Sequence, residues 1–169
     1  MSHHHHHTAN PLREIIIGAA AGAGAAFVMD QFQTLWSKYG DKLGLPGGAR
    51  QEGMVSAPEE AAEMAVESVT GERLPSDKLE SAGKAVHYAT GAVVGAAYGV
   101  IASSVRGSTL GGGLPLGAAS YLLLDQGLVP QMKLGSAGQE GDDQKIYALV
   151  SHLVFGVATD SFRRMLGAR

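Results

Sequence analysis

Residues 85–105 contain no Asp, Glu, Lys or Arg, and residues 107–124 contain none either, so Arg106 alone separates two long uncharged runs. Each approaches the roughly 20 residues that cross a bilayer as a helix. A backbone in hydrocarbon must satisfy its own N–H and C=O groups, which a helix does within itself. Two further segments read the same way. Ile15 to Trp36 is interrupted only by Asp30, and the stretch from about Ile146 to Phe162 is interrupted by His152 and Asp160. The sequence therefore predicts an all-α fold, a four-span transmembrane helical bundle with spans at about 14–36, 83–105, 109–130 and 145–166. Residues 1–10 read as a tag or disordered N-terminus, residues 11–169 as a single integral-membrane domain, and residues 37–82 as an aqueous loop.

Composition supports this reading. Charged residues make up 17% of the chain, against about 25% in a typical soluble domain. Gly18, Gly22, Gly24, Gly91, Gly95 and Gly99 all fall inside helical segments. Glycine costs roughly 1 kcal/mol in a water-exposed helix, whereas membrane helices use it for close backbone approach. The competing interpretation is a soluble bundle of very apolar helices. A cleaved signal peptide is a second alternative for the first segment, but its apolar run leads into Asp30 and Trp36 rather than a small-residue cleavage site. A net charge of -3 without a basic stripe excludes phosphate-backbone binding, so no nucleic-acid partner is expected. The absence of Cys excludes disulfides, thiolate metal sites and a Cys nucleophile. His3 to His7 read as a purification tag.

The apolar segments carry a repeat. Asp30-Gln31 lies near the end of the first and Asp125-Gln126 near the end of the third. The segment after each pair holds a His followed four residues later by Gly: His87 with Gly91, and His152 with Gly156. Residues four apart share a helix face. Gly18, Gly22, Ala26 and Asp30 thus form one row; Gly83, His87, Gly91, Gly95 and Gly99 a second; Gly113, Gly117, Tyr121 and Asp125 a third; and His152, Gly156, Asp160 and Arg164 a fourth. Small residues mark helix contacts, so the polar members of these rows should face the bundle and not lipid. In four antiparallel spans Asp30, His87, Asp125 and His152 all fall roughly 6–11 Å inside one shared boundary. Trp36, Tyr39, Tyr88 and Tyr147 cluster near it as an aromatic belt would. The expected architecture is two parallel helix hairpins related by a pseudo-two-fold axis along the membrane normal.

In the first loop, Ser56 and Glu59 form a capping box with Pro58 in the first turn of an amphipathic helix. Ala61, Ala62, Ala65, Val66 and Val69 make its apolar face, with Glu59, Glu60, Glu63 and Glu67 largely opposite. Its acidity favours docking on protein over anionic headgroups, and residues 56–72 are a candidate surface for a protein partner. Residues 133–143 form a Gly-rich connection. The short basic flanks lean toward both termini in the cytoplasm.

Three readings of the polar centre compete. Each Asp–His pair can be buried helix glue, as in a structural or accessory membrane subunit. The centre can instead handle protons or metal ions, because intramembrane acids and histidines mark such pathways. Asp30, His87, Asp125 and His152 would then be the site, and Gln31, Gln126 and Tyr88 would support it. Two His and two carboxylates suit a divalent transition metal. The third reading is haem b with His87 and His152 as axial ligands, Gly91 and Gly156 making room for the ring. No Ser-His-Asp arrangement or other nucleophile is credible, so a non-enzymatic protein is expected. The Gly91-x-x-x-Gly95-x-x-x-Gly99 run signals helix packing, within the chain or in a homo-oligomer or larger membrane complex.

The stretch His87-Tyr-Ala-Thr-Gly-Ala-Val-Val-Gly-Ala-Ala-Tyr-Gly99, Asp125 near Val129-Pro130, and His152-Leu-Val-Phe-Gly156 leading to Arg163-Arg164 resemble the YagU-like family of small bacterial inner-membrane proteins. The resemblance spans Gly18 to Arg164. It implies a multi-pass bacterial inner-membrane location and a link to acid tolerance, and it supplies no biochemical activity or catalytic residues.

Overall fold

The computed structural model of the protein describes residues 10–48, 55–105, 107–134 and 141–167, and the regular elements among them are all helical. The expected tag, Arg106, Arg169 and residues 135–140 of the Gly-rich connection lie outside the described residues.

Helix α1 (Pro11–Leu43) starts with the Asn10 side chain accepting from the Leu12 N–H and with proline in the first turn, and it ends at Gly44 in the left-handed conformation. Helix α2 (Ala57–Thr70) starts at the Ser56/Glu59 capping box: the Ser56 N–H donates to Glu59 Oε2 at 2.7 Å. Helix α3 (Ser76–Ser104) follows Pro75. An α-helical Leu114–Ser120, a π-helical Tyr121–Leu128 and an α-helical Val129–Met132 run on without a break and together form the rod α4. Helix α5 (Asp142–Met165) closes the fold.

The first helix runs on to Gly44, where Gly44-Leu-Pro-Gly-Gly48 breaks it, and α3 begins directly after Pro75, so both helices extend beyond the span limits of about 14–36 and 83–105. The third helix starts at Leu114 and not near 109. Gly107, Gly111, Gly112 and Gly113 all have positive φ, which unwinds the chain ahead of Pro115.

Two helices, α1 and α3, are long and apolar enough to cross a membrane. Rod α4 is divided into three segments by its change of pitch, and α5 carries Asp142, Asp143, Lys145, Asp160, Arg163 and Arg164. Leu12, Ile16, Phe27, Val93, Leu122 and Leu123 are all more than half exposed, leaving the outside of the bundle apolar.

Helix α1 packs on both α3 and α5, α5 packs on α4, and α2 packs on α3. Helices α3 and α4 are not extensively packed together. The α1–α3 contact is backbone against backbone. A Cβ on Gly22 would overlap the Gly91 carbonyl oxygen, one on Gly18 the Gly95 oxygen, and one on Gly99 the Glu14 oxygen. The α4–α5 contact is built alike: a Cβ on Gly117 would overlap the His152 oxygen, and one on Gly156 the Gly113 oxygen. Ala25, Ala26, Met29 and Phe155 form the core between α1 and α5.

Helix α2 docks through Ala62 of the expected apolar face together with Glu59 of the acidic one. Glu59 is buried, and its side chain fills the space that a Cβ on Gly83 of α3 would need, while Val69 is exposed. Capping ties the Glu59 carboxylate to Ser56 and frees its stem to pack.

Candidate functional site

The interior of the bundle holds two polar layers. The first sits where the start of α1 meets the end of α5. Glu14 is 1% exposed and lies 3.5 Å from Nη1 of Arg163, which is 2% exposed. Arg13 reaches the other Glu14 oxygen at 3.1 Å and donates to the Gly167 carbonyl at 2.9 Å. Asp160, 2% exposed, accepts from the Tyr98 hydroxyl at 2.8 Å and from Arg164 Nε at 2.7 Å. The Arg163 guanidinium stands over the Tyr98 ring. Both carboxylates therefore have arginine partners, and α1, α3 and α5 are joined by them. The sequence sets Asp160 beside Arg163 and Arg164 on the last helix; Arg164 pairs with Asp160 at 2.7 Å, while Arg163 turns inward to Glu14.

The second layer lies roughly 24 Å further along α1, sixteen residues on at 1.5 Å each. Here Asp30, His87, Asp125 and His152 line a single half-open cavity of about 880 Å³. Met29 and Phe155 form part of its wall, α3 and α4 flank it where they fail to pack together, and the start of α2 contributes Ser56, Ala57, Pro58, Glu59 and Ala61.

The hydrogen bonds fix the ring states. A carbonyl only accepts, so the ring nitrogen facing one must donate. His152 Nδ1 donates to the Ala148 carbonyl at 3.0 Å, leaving Nε2 to face Asp125 Oδ1 at 3.7 Å. That distance is too long for a hydrogen bond. His152 is 7% exposed, and its partner's side chain is 32% exposed. His87 is oriented the other way round. Its Nε2 donates to the Ala26 carbonyl at 3.4 Å, leaving Nδ1 without that bond. Asp30 accepts only a long contact, 3.4 Å, from the Tyr88 hydroxyl. Among the described residues neither Asp30 nor Asp125 has a Lys or Arg ion-pair partner.

The π-helical turn carries Asp125. A π-turn is wider than an α-turn and recurs at functional sites. Below it Gly117 touches the α5 backbone; within it the Tyr121 ring meets His152 edge-on at 5.9 Å, and Asp125 faces the same imidazole.

The supporting residues divide. Gln126 lines the cavity and donates to the Tyr121 hydroxyl at 3.1 Å, and Tyr88 contacts Asp30. Gln31 is exposed and does not line the cavity, because it follows Asp30 by one residue and so points about 100° away. Trp36 and Tyr147 pack edge-on at 5.8 Å near the cavity's end. Among the described residues no three His, Asp or Glu side chains stand close enough together to hold a metal ion. For haem, His152 has the Nδ1–carbonyl bond that frees Nε2 for iron, while His87 has its Nε2 on Ala26 and would have to turn.

Sequence reading missed Glu14. The signal was present: Glu14 precedes Gly18 by four residues and so begins the Gly18–Gly22–Ala26–Asp30 row.

Compared with protein-family models, curated proteins and solved structures, the chain finds no match.

Proposed function

We propose that this is a four-span membrane protein that takes up and releases protons or small cations at the Asp30/His87/Asp125/His152 layer. One observation carries the reading. Of the four carboxylates in the two layers, Glu14 and Asp160 have arginine partners, whereas Asp30 and Asp125 face a cavity without one. Helix glue has short, satisfied hydrogen bonds, as Tyr98–Asp160 has. The Asp125–His152 separation of 3.7 Å leaves room for a proton to convert a contact into an ion pair, or for a cation to enter.

Equivalent contacts support the two-hairpin repeat. Matching Asp30 with Asp125 and His87 with His152 pairs Gly22 and Gly91 with Gly117 and Gly156, and Gly18 and Gly95 with Gly113 and Asp160. Gly22 touches Gly91 and Gly117 touches Gly156; Gly18 touches Gly95 and Gly113 touches Asp160. The apolar outer faces of α1, α3 and α4 support lipid as the surrounding medium. A bacterial inner-membrane location and membership of the YagU-like family belong to the same proposal, and proton handling would suit that family's link to acid tolerance.

A second reading keeps haem b between His87 and His152. The cavity volume favours it, and the engagement of His87 Nε2 with Ala26 weighs against it.

Nitrogen-15 NMR of histidine-labelled, tag-free protein tests the proton reading. Acidification should change the ring-nitrogen signals of the cavity histidines, and Asp125→Asn should alter that response. Ring signals that do not respond to pH would count against the proposal.

A further inference from the structure

We propose that the cavity binds a lipophilic organic cation, which enters through the slot between α3 and α4 and is held by Asp125 and Asp30. This inference rests on the cation-handling reading above and adds the class of ligand.

Size comes first. A proton or a bare ion needs no more room than a water molecule, whose share of liquid volume is about 30 Å³. About 880 Å³ lies instead in the range of pockets that enclose organic ligands, about 300–1,000 Å³. Lining chemistry comes second. Ala26, Met29, Val94, Leu124 and Phe155 supply apolar wall, and Tyr147 and Phe155 supply ring faces of the kind that attract a desolvated cation.

Charge decides the sign. Asp30 and Asp125 bring two carboxylates to the cavity without Lys or Arg partners. The lining carries four carboxylates, Asp30, Glu59, Glu80 and Asp125, against three lysines: Lys84 pairs with Glu80 at 2.8 Å, Lys145 with Asp142 at 3.7 Å, and Lys38 lies over the uncharged Tyr39 ring. An anion would meet two carboxylates, and a neutral amphiphile would leave both uncompensated in an apolar surround. A cation with its charge buried in an apolar body satisfies the carboxylates and the wall together.

Access follows from the packing. Each hairpin is closed by glycine contacts, and α1 joins α5, but α3 and α4 stand apart beside the cavity. Thr90 and Val94 on α3 and Leu124 and Leu128 on α4 line this slot with a weakly polar or apolar surface, which suits entry from hydrocarbon.

The test uses tag-free full-length protein in lipid nanodiscs with tetraphenylphosphonium as probe and tetraphenylborate as the anion of matching shape. Saturable tetraphenylphosphonium binding is expected. Binding should weaken at least about tenfold in Asp125→Asn, which loses the charge pair. Thr90→Phe, which narrows the slot and keeps every charge, should weaken it comparably while the cavity histidines still respond to pH. If the phosphonium fails to saturate at any pH while those ring signals respond as above, the ligand class is wrong and the proton reading stands. If the phosphonium does not bind and the ring signals do not respond, both fall. Equal binding of the borate, or indifference to both substitutions, would show partition into lipid and overturn the proposal.

Discussion

Glu14 and Arg163 meet 3.5 Å apart in the interior, each almost wholly withdrawn from solvent, and so tie the beginning of the first helix to the end of the last. This contact pairs the charges of one polar layer, with Glu14 Oε2 and Arg163 Nη1 making no hydrogen bond there. Asp125 and His152, at a similar separation, sit instead on a cavity wall. The two layers use similar residue types with opposite consequences, and the predictions below exploit that difference.

Breaking the Glu14–Arg163 pair on one side should be costly. Arg163→Ala leaves the Glu14 carboxylate buried beside Arg13 alone, and losing one partner of a buried pair typically costs about 3–5 kcal/mol. Glu14→Gln/Arg163→Met removes both charges and should cost clearly less. Thermal unfolding in detergent, read as a double-mutant cycle, measures the coupling; equal costs for single and double variants would remove the pair from the stability of the fold.

Tyr98→Phe deletes one hydrogen bond to Asp160, which keeps Arg164. A loss of about 0.5–1.5 kcal/mol is expected. Proton handling should be unaltered, because Tyr98 does not line the cavity.

Gly22→Ala places a methyl group on the Gly91 carbonyl oxygen, where backbone must move. Overpacking of this kind costs about 1–3 kcal/mol. Gly24→Ala meets only the Phe162 ring, at 3.2 Å, which can turn aside. A lower unfolding temperature for Gly22→Ala than for Gly24→Ala is the expected order, and the reverse order would mean that α1 and α3 do not touch along this row.

The chain contains no cysteine, so single cysteines report membrane topology cleanly. Cysteines replacing Phe27, Val93, Leu123 and Val157 should resist a membrane-impermeant maleimide in intact vesicles. Ser68→Cys and Gly112→Cys should react from opposite sides. Labelling of the Leu123 and Val157 positions, with the first two protected, would reduce the protein to two spans.

Much of this was legible in the sequence, for identifiable reasons. Four-residue spacing put Gly18, Gly22, Gly91 and Gly95 on faces that meet, because helix periodicity is set locally. The capping box at Ser56 was legible for the same reason. The side taken by Glu59 was not, because docking against Gly83 is a tertiary choice. The π-helical turn around Asp125 was illegible, since its pitch depends on what α5 presents to it. The Glu14–Arg163 pair was illegible, because its two partners lie at opposite ends of the chain. That Asp30, His87, Asp125 and His152 share a cavity wall depended on helix order, which spacing alone does not determine.

Proton flux into liposomes under an imposed pH gradient, followed with an entrapped pH-sensitive dye, tests the division of labour between the layers most directly. Wild type and Tyr98→Phe should carry flux alike. Asp125→Asn and His152→Ala should abolish it, and Asp125→Asn should do so with its unfolding temperature nearly unchanged, since it forfeits no hydrogen bond. Flux that survives both cavity substitutions, or that fails only when the protein is destabilised, would contradict a functional role for the open layer.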